Sequence, residues 1–273
     1  MATITASEFA YIRELVRERA AIVLDEGKEY LVESRLIPLA RAEGMASLTE
    51  LVVKLRGAGA ASPLSHQVVE AMTTNETSFF RDPAVFEALR THILPGLIDS
   101  LRPRRRMTIW SAACSSGQEL YSINMLLHEH FQETAGWQLK LLGTDLSTAI
   151  LERAQKGLYT QFEVNRGLPA RLLSTYFERQ GMDWKVKANL RQGVEFRKQN
   201  LIESTPMPQA DLVLLRNVLI YFDPDTRRRL LERVRACLNP GGCLLVGSSE
   251  SPLLSGIDFE RVELGRTVCY RKS

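Results

Sequence analysis

The residues able to do chemistry in this sequence sit where apolar runs end. Asp145 closes WQLKLLGTD, residues 137–145. An acid at the end of a buried strand can accept hydrogen bonds from two neighbouring hydroxyls. It can equally cap a turn or the next helix, and a lone strand-end aspartate more often does that. Glu119 follows the small-residue run SAACSSGQ, Asn200 and Leu201 follow GVEFRKQ, and Arg216, Asn217 and Tyr221 follow the apolar ADLVLL. The stretch TNETSFFRD, residues 74–82, sets Asn75, Thr77 and Arg81 around two aromatics, Phe79 and Phe80. A plain linker would lack the aromatics, and a plain core segment would lack the polar groups. His128 and His130 flank Glu129, but HEH is not HExxH, and residues two apart point to different faces of a helix. No metal site is expected.

The elements that must position these residues fall into two zones. The first 70 residues read as helical: TASE fits a capping box, with Phe9, Ile12 and Val16 following at helical spacing. YLVESRLIPLARAEG and SLTELVVKLRG continue the pattern, GAGAASP breaks it, and a further helix spans roughly residues 64–73. Pro83 would open another helix. Beyond it strands and helices alternate. MTIWSAA, WQLKLLGTD, ADLVLLRN, CLLVGSSE and TVCYRK read as strands. GQELYSINMLLHEHF, STAILERAQKG and DPDTRRRLLERVRACL read as helices, with Ser147 and Asp223 as caps and Pro224 at a first helical position. NPGG is expected as the turn that ends the last helix. The alternation predicts a mostly parallel sheet with helices on both faces. Residues 158–197 break the rhythm and read as an inserted subdomain whose last strand rejoins the sheet.

Composition narrows the class. The chain has 273 residues, enough for two domains, with 45% hydrophobic and 25% charged residues. A net charge of +3 does not argue for nucleic acid. RPRRR (102–106) and RRR (227–229) read as solvated arginines rather than a nucleic-acid patch. Cys114, Cys237, Cys243 and Cys269 form no CxxC pair and are expected as reduced, mostly buried thiols of a cytosolic protein. MATITASEFA has neither a basic nor an apolar leader segment, so no signal peptide is expected. No apolar run approaches the ~18 residues of a membrane span.

In open α/β sheets ligands bind at the carboxyl ends of the strands, so the segments after them should converge on one crevice. SAACSSG has a single glycine, Gly117, and no GxGxxG cradle, which disfavours a pyrophosphate. Asp145 lies 145 − 117 = 28 residues further on, near the ~20 expected of a ribose-binding acid. LNPGGCLLVGSSE, a Pro-Gly-Gly turn between a helix and an apolar strand with a short strand to follow, is the closing pattern of class I methyltransferases. The cofactor reading therefore favours S-adenosylmethionine over NAD.

TNETSFFRD, IWSAACSSGQELYS, GTDLSTAILERAQKGLY, LRNVLIYFD and LNPGGCLLVGSSE, in this order, resemble the CheR-type chemotaxis receptor glutamate O-methyltransferases. With the helical amino-terminal zone, the resemblance covers nearly the whole chain. It implies an α/β fold: a small all-helical domain (1–73), a linker contributing to the cofactor cleft (74–82), and a class I, Rossmann-like methyltransferase domain (83–273). A small inserted β-subdomain spans about 158–197. It implies that Asn75, Thr77 and Arg81 meet S-adenosylmethionine, with Phe79 and Phe80 anchoring their loop against the core. Glu119 would contact the cofactor's methionine end and Asp145 its ribose, while Asn200, Leu201, Arg216 and Asn217 would line the adenine and the cleft floor. Arg81 and Tyr221 would be the catalytic donors that orient the substrate carboxylate. Tyr221 has a plainer alternative as a packed aromatic beside Phe222.

The implied partners are the cytoplasmic methylation helices of chemoreceptors, toward which the arginine runs could attract acidic surface. No nucleic acid and no membrane insertion are implied, a regulatory adaptor stays open, and a monomer is expected. The location would be cytoplasmic, with recruitment to membrane receptor arrays. Two departures stand out. Members commonly have Gly-Glu-Glu-Pro-Tyr where this chain has GQELY, which keeps Glu119 but replaces a glutamate and a proline by Gln118 and Leu120. FERQGMDWKVKANL is shorter than in members that grip a receptor's carboxyl-terminal tether peptide and lacks their glycine-rich turn, so no tether binding is expected. The alternatives are methylation of another substrate, such as a nucleic-acid base, and a non-enzymatic binding module. Against the first, RNVLIY is not the (N/D)PPY of amino-methyltransferases.

Overall fold

The computed structural model describes residues 4–272; the first three residues of MATITASEFA and residue 273 lie outside the described residues. The chain divides into two compact units. The first comprises Met1–Thr74 together with Tyr221–Arg227, and the second Asn75–Ile220 with Arg228–Ser273.

The first unit is built on four helices, α1 (Ala6–Ala20), α2 (Glu29–Ala42), α3 (Leu48–Ala58) and α4 (Pro63–Met72). Each start follows local chemistry. Thr5 and Glu8 form the reciprocal capping box expected of TASE. Ser47 caps α3, and Ser62 caps α4, which opens on Pro63. Ile12, Val16, Val32, Leu36, Leu51, Leu55 and Val68 are buried among them. Arg35 closes the other end of α4 by donating to the carbonyls of Met72 (2.5 Å) and Thr73 (2.9 Å), acceptors that a helix end leaves without partners. Residues 221–227 join this unit through backbone: Val23 N donates to Tyr221 O at 2.9 Å, and Ile22 bridges Phe222.

The second unit begins with α5 (Pro83–Ala88) and α6 (Leu94–Leu101). Then follow β1 (Arg106–Ala112), α7 (Gln118–His130), β2 (Gln138–Asp145) and α8 (Thr148–Lys156), which Ser147 caps as expected. The insertion contributes β3 (Leu158–Tyr159), α9 (Gln161–Asn165), α10 (Ala170–Tyr176), β4 (Phe177–Gln180), β5 (Asp183–Val186) and α11 (Ala188–Arg191). The chain returns through β6 (Val194–Lys198) and β7 (Ala210–Leu215). It finishes with α12 (Pro224–Cys237), β8 (Leu238–Val246), β9 (Glu260–Leu264) and β10 (Thr267–Arg271). The main sheet runs β6-β2-β1-β7-β8-β10-β9. Its first five strands are parallel and the last two antiparallel. β7 is buried at all six residues, as its unbroken apolar run requires of a central parallel strand. One core cluster joins α5, α6 and α7 to strands of this sheet.

Three differences from the sequence reading have physical causes. NPGG does not stand outside the sheet as a turn. β8 starts at Leu238 opposite Ala210 and resumes at Cys243 opposite Leu212, so Asn239–Gly242 are an extended bulge, with Gly241 at φ 73°. β9 carries Glu260, Arg261 and Glu263 on the sheet's outer edge, where charge is tolerated and the apolar signal is weak. Finally, WKVKANL, which by its loose alternation could have supplied a strand edge to an added peptide, does not: β5 is the middle strand of the small sheet β3-β5-β4.

Candidate functional site

β1 and β2 pair in parallel with Ala112 opposite Thr144, so the loops that leave them start side by side. The first loop turns tightly, with Ala113 at φ 60°, Ser115 at 51° and Gly117 at 89°. Only Gly117 is a glycine, and space as well as angle requires it: a Cβ there would lie 3.0 Å from Phe196 Cζ and 3.1 Å from Ala154 Cβ. Asp145 at the end of β2 is buried and fixed by backbone, its Oδ2 accepting from Ser115 N at 2.9 Å and its Oδ1 from Ser147 N at 3.1 Å. A carboxylate oriented in this way at the end of a parallel strand suits a ligand that offers two adjacent hydroxyls. Gln199 N donates to Asp145 O at 2.9 Å, bringing the end of β6 to the same place. Beneath the loop, burial and then the charges of Asp145 and Glu119 push the Cys114 thiol well above its usual pKa, so it stays protonated.

Arg216, just past β7, is a buried hub. Its Nη1 donates to Glu119 Oε2 at 2.7 Å, and its Nη2 to Arg81 O at 2.9 Å and Asp82 Oδ2 at 2.5 Å. Glu119 Oε1 accepts from Ser111 Oγ at 2.7 Å. Arg216 and Glu119, expected on different parts of a cofactor, are thus paired with each other. One guanidinium serves two carboxylates, so the cluster carries a net negative charge. Arg216 Nε is buried with no hydrogen-bond partner, an orphaned donor of the kind a bound ligand satisfies. S-adenosylmethionine, with a sulfonium and an ammonium against one carboxylate, fits this charge, and its ribose fits Asp145.

The junction is held to the same place. Ser115 Oγ donates to Asn75 O at 2.8 Å, Phe80 N donates to Ser122 Oγ at 3.0 Å, and Arg81 Nη1 donates to Glu76 O at 2.8 Å. Asn75, Thr77 and Arg81 are all half-buried. Phe79 is fully buried in the inserted subdomain, edge-on to Tyr159 (5.0 Å between centroids) and Phe177 (5.6 Å). Phe80 packs on Phe86 at 5.0 Å. Gly167 passes so close that a Cβ would sit 2.1 Å from Phe79 O.

The remaining expected residues divide. Asn217 takes φ 59°, and its N–H donates to Glu250 Oε2 at 2.7 Å. Asn200 turns back on its own loop, accepting from Ile202 N at 3.3 Å and donating to Glu203 at 3.2 Å, and the Leu201 carbonyl accepts from Arg233 at 2.9 Å. Tyr221 belongs to the helical unit. Glu250 was not among the expected site residues. Fully buried, it accepts from the N–H groups of Gly247 (2.8 Å), Asn217 (2.7 Å), Leu219 (2.7 Å) and Ile220 (3.4 Å). The signal available was the acid in GSSE, directly after an apolar strand. Asp82 and Ser115 were also missed, because both act across the fold rather than along the chain.

A family model described as the CheR methyltransferase SAM binding domain matches residues 75–266, and one described as the CheR methyltransferase all-alpha domain matches residues 7–73. The chain is 40% identical over 271 residues to chemotaxis protein methyltransferase 1 of Pseudomonas aeruginosa, covering 97% of each chain. It is 40% identical over 272 residues to chemotaxis protein methyltransferase Cher2 of Pseudomonas putida, again covering 97% of each. Against a chemotaxis protein methyltransferase of Vibrio parahaemolyticus it is 40% identical over 275 residues, covering 98% of each.

Proposed function

The chain belongs to the CheR methyltransferase family and methylates with S-adenosylmethionine in chemotaxis; we propose that the groups it methylates are glutamate side-chain carboxylates on the cytoplasmic helices of chemoreceptors. The observation that carries this is the backbone-fixed Asp145 beside the Arg216–Glu119–Asp82 cluster, in a chain matched over 97% of its length by a chemotaxis methyltransferase. Bound S-adenosylmethionine supplies an electrophilic methyl group on a sulfonium. The chain need not supply a base, because a glutamate of ordinary pKa, about 4.3, is already ionised at neutral pH. Its task is to align the carboxylate with the methyl group and to exclude water where opposite charges are neutralised. Arg81 is the proposed orienting donor; Tyr221 holds the same role on the family resemblance, and its loss as Tyr221→Phe is expected to lower kcat more than it raises the KM for cofactor. Labelled S-adenosylmethionine and receptor cytoplasmic fragments test the chemistry. Label released from the receptor by mild alkali marks methyl esters; alkali-stable label, or none, defeats the reading.

Asp145→Ala is expected to weaken adenosylhomocysteine by about 1.5–3 kcal/mol, the scale of a hydrogen bond to a charged group, or roughly 10- to 150-fold in Kd. Calorimetry decides it: affinity equal to the parent's would remove Asp145 from the ribose. A modest loss of stability should accompany the change, because Ser115 N and Ser147 N also rest on this carboxylate.

The arginine runs offer less free charge than their sequence suggests, since Arg102 pairs with Asp99, Arg104 with Asp211 and Arg228 with Glu232. For the receptor tether the expectation stays negative. β4 is an exposed edge, but β4 and β5 are joined by the tight turn Gly181-Met182, with Gly181 at φ 62°. A peptide adding to an edge needs side-chain pockets beside it, and a two-residue turn brings few side chains with which to build them. Titration with the isolated tether peptide should give no saturation; low-micromolar binding abolished by changes within residues 182–192 would overturn this.

A further inference from the structure

Arg191, the last residue of α11, is a half-buried cation without a counter-charge. Its Nε is buried and has no hydrogen-bond partner, and no carboxylate among the described residues forms an ion pair with its guanidinium. A buried N–H donor without an acceptor costs free energy until a ligand or water reaches it, and an anion is the acceptor a guanidinium favours. Beside it lies a cavity of about 290 Å³, lined by Tyr121, Phe196, Gln155, Arg191 and Gln192 among others. No acid lines this cavity.

The surroundings point the same way. The segment WKVKANLRQ, residues 184–192, holds three basic residues and no acidic one. Lys187 is committed elsewhere, to the carbonyls of Ser174 (3.3 Å) and Thr175 (2.7 Å), and of the three only Arg191 lines the cavity. The Tyr121 hydroxyl is likewise engaged, donating to Ala154 O at 2.9 Å. Two carboxamides supply further N–H donors, and a guanidinium presents a planar fork that matches carboxylate or phosphate oxygens. The volume lies at the lower end of ligand pockets, which suits a small occupant.

We propose that Arg191, Gln155 and Gln192 form a second site, distinct from the Asp145 crevice, that takes a small anion with a carboxylate or phosphate head. Phe196 is shared between the two places, because its ring also lies under Gly117 in the loop that orients Asp145. The site stands or falls independently of which residue the enzyme methylates.

The test uses the full chain saturated with adenosylhomocysteine, titrated separately with inorganic phosphate and with acetate at constant ionic strength. The expected result is saturable binding of at least one anion, weakened tenfold or more in Arg191→Gln, while adenosylhomocysteine affinity stays within twofold of the parent's. Binding of phosphate alone assigns a phosphoryl ligand, and of acetate alone a carboxylate; binding of both supports an anion site that does not distinguish them. Gln192→Ala leaves the guanidinium in place and should weaken the same anion severalfold, which keeps the question decidable if Arg191→Gln fails to fold. Absence of saturable binding by either anion, or equal binding by parent and variants, overturns the proposal.

Discussion

Arg216→Met should cost about 3–5 kcal/mol of stability, the scale for stranding one member of a buried ion pair. The guanidinium is almost wholly buried, and its removal leaves Glu119 facing Ser111 alone, with the Arg81 carbonyl and Asp82 carboxylate unheld. Asp82 is more exposed, so most of the loss should come through Glu119. A domain typically has only about 5–15 kcal/mol in hand, so a large share of the stability would go and methyl transfer should fall sharply near physiological temperature. Arg216→Lys should not restore it, because an ammonium cannot span three acceptors on two segments as the fork does. Adding Glu119→Gln to Arg216→Met should recover part of the stability, since the stranded charge is gone. Denaturant unfolding of the three variants checks the series; a parent-like midpoint for Arg216→Met would show that the hub carries no weight.

Glu250→Gln is expected to cost about 2–6 kcal/mol, two stranded donors at about 1–3 kcal/mol each. Four backbone N–H groups converge on this carboxylate, and a glutamine keeps one acceptor oxygen while turning an NH₂ group toward donors. Gly247 leaves no room for adjustment, because a Cβ there would already lie 2.7 Å from Glu250 Oε2 and 2.9 Å from Asn217 Nδ2. The loop after β7 should lose its fixed course, with Asn217 no longer held at positive φ. Hydrogen exchange at Asn217 and Leu219 is the direct measurement. Rapid exchange there with the sheet still protected is the expected pattern; unchanged protection would refute the role.

What could be read from the sequence was what chain order and periodicity encode. Thr5, Ser147 and Asp223 announce their helices because a cap acts within three residues. The buried strands are continuous apolar runs, and the insertion betrayed itself by breaking the alternation. Asp145 was legible because the crevice of a parallel sheet lies where its strands end. The pairing of Glu119 with Arg216 was not, because 97 residues separate them and either could have faced a ligand. Nor was the work of Glu250, whose four partners are backbone groups that any sequence possesses. NPGG misled because proline and glycine serve a bulge inside a strand as readily as a turn outside it.

The burial of Phe79 bears on how this enzyme could be re-engineered. Its ring sits against Tyr159 and Phe177, its carbonyl lies where only Gly167 can pass, and two residues further on Arg81 O is held by Arg216. The insertion is therefore not a detachable cassette. A graft that swaps residues 158–197 for a relative's segment, to redirect which receptors are served, would remove the socket of an aromatic that belongs to the junction. Chimeras that transplant residues 75–82 with the insertion should fold and keep cofactor affinity, and those that exchange the insertion alone should lose both together.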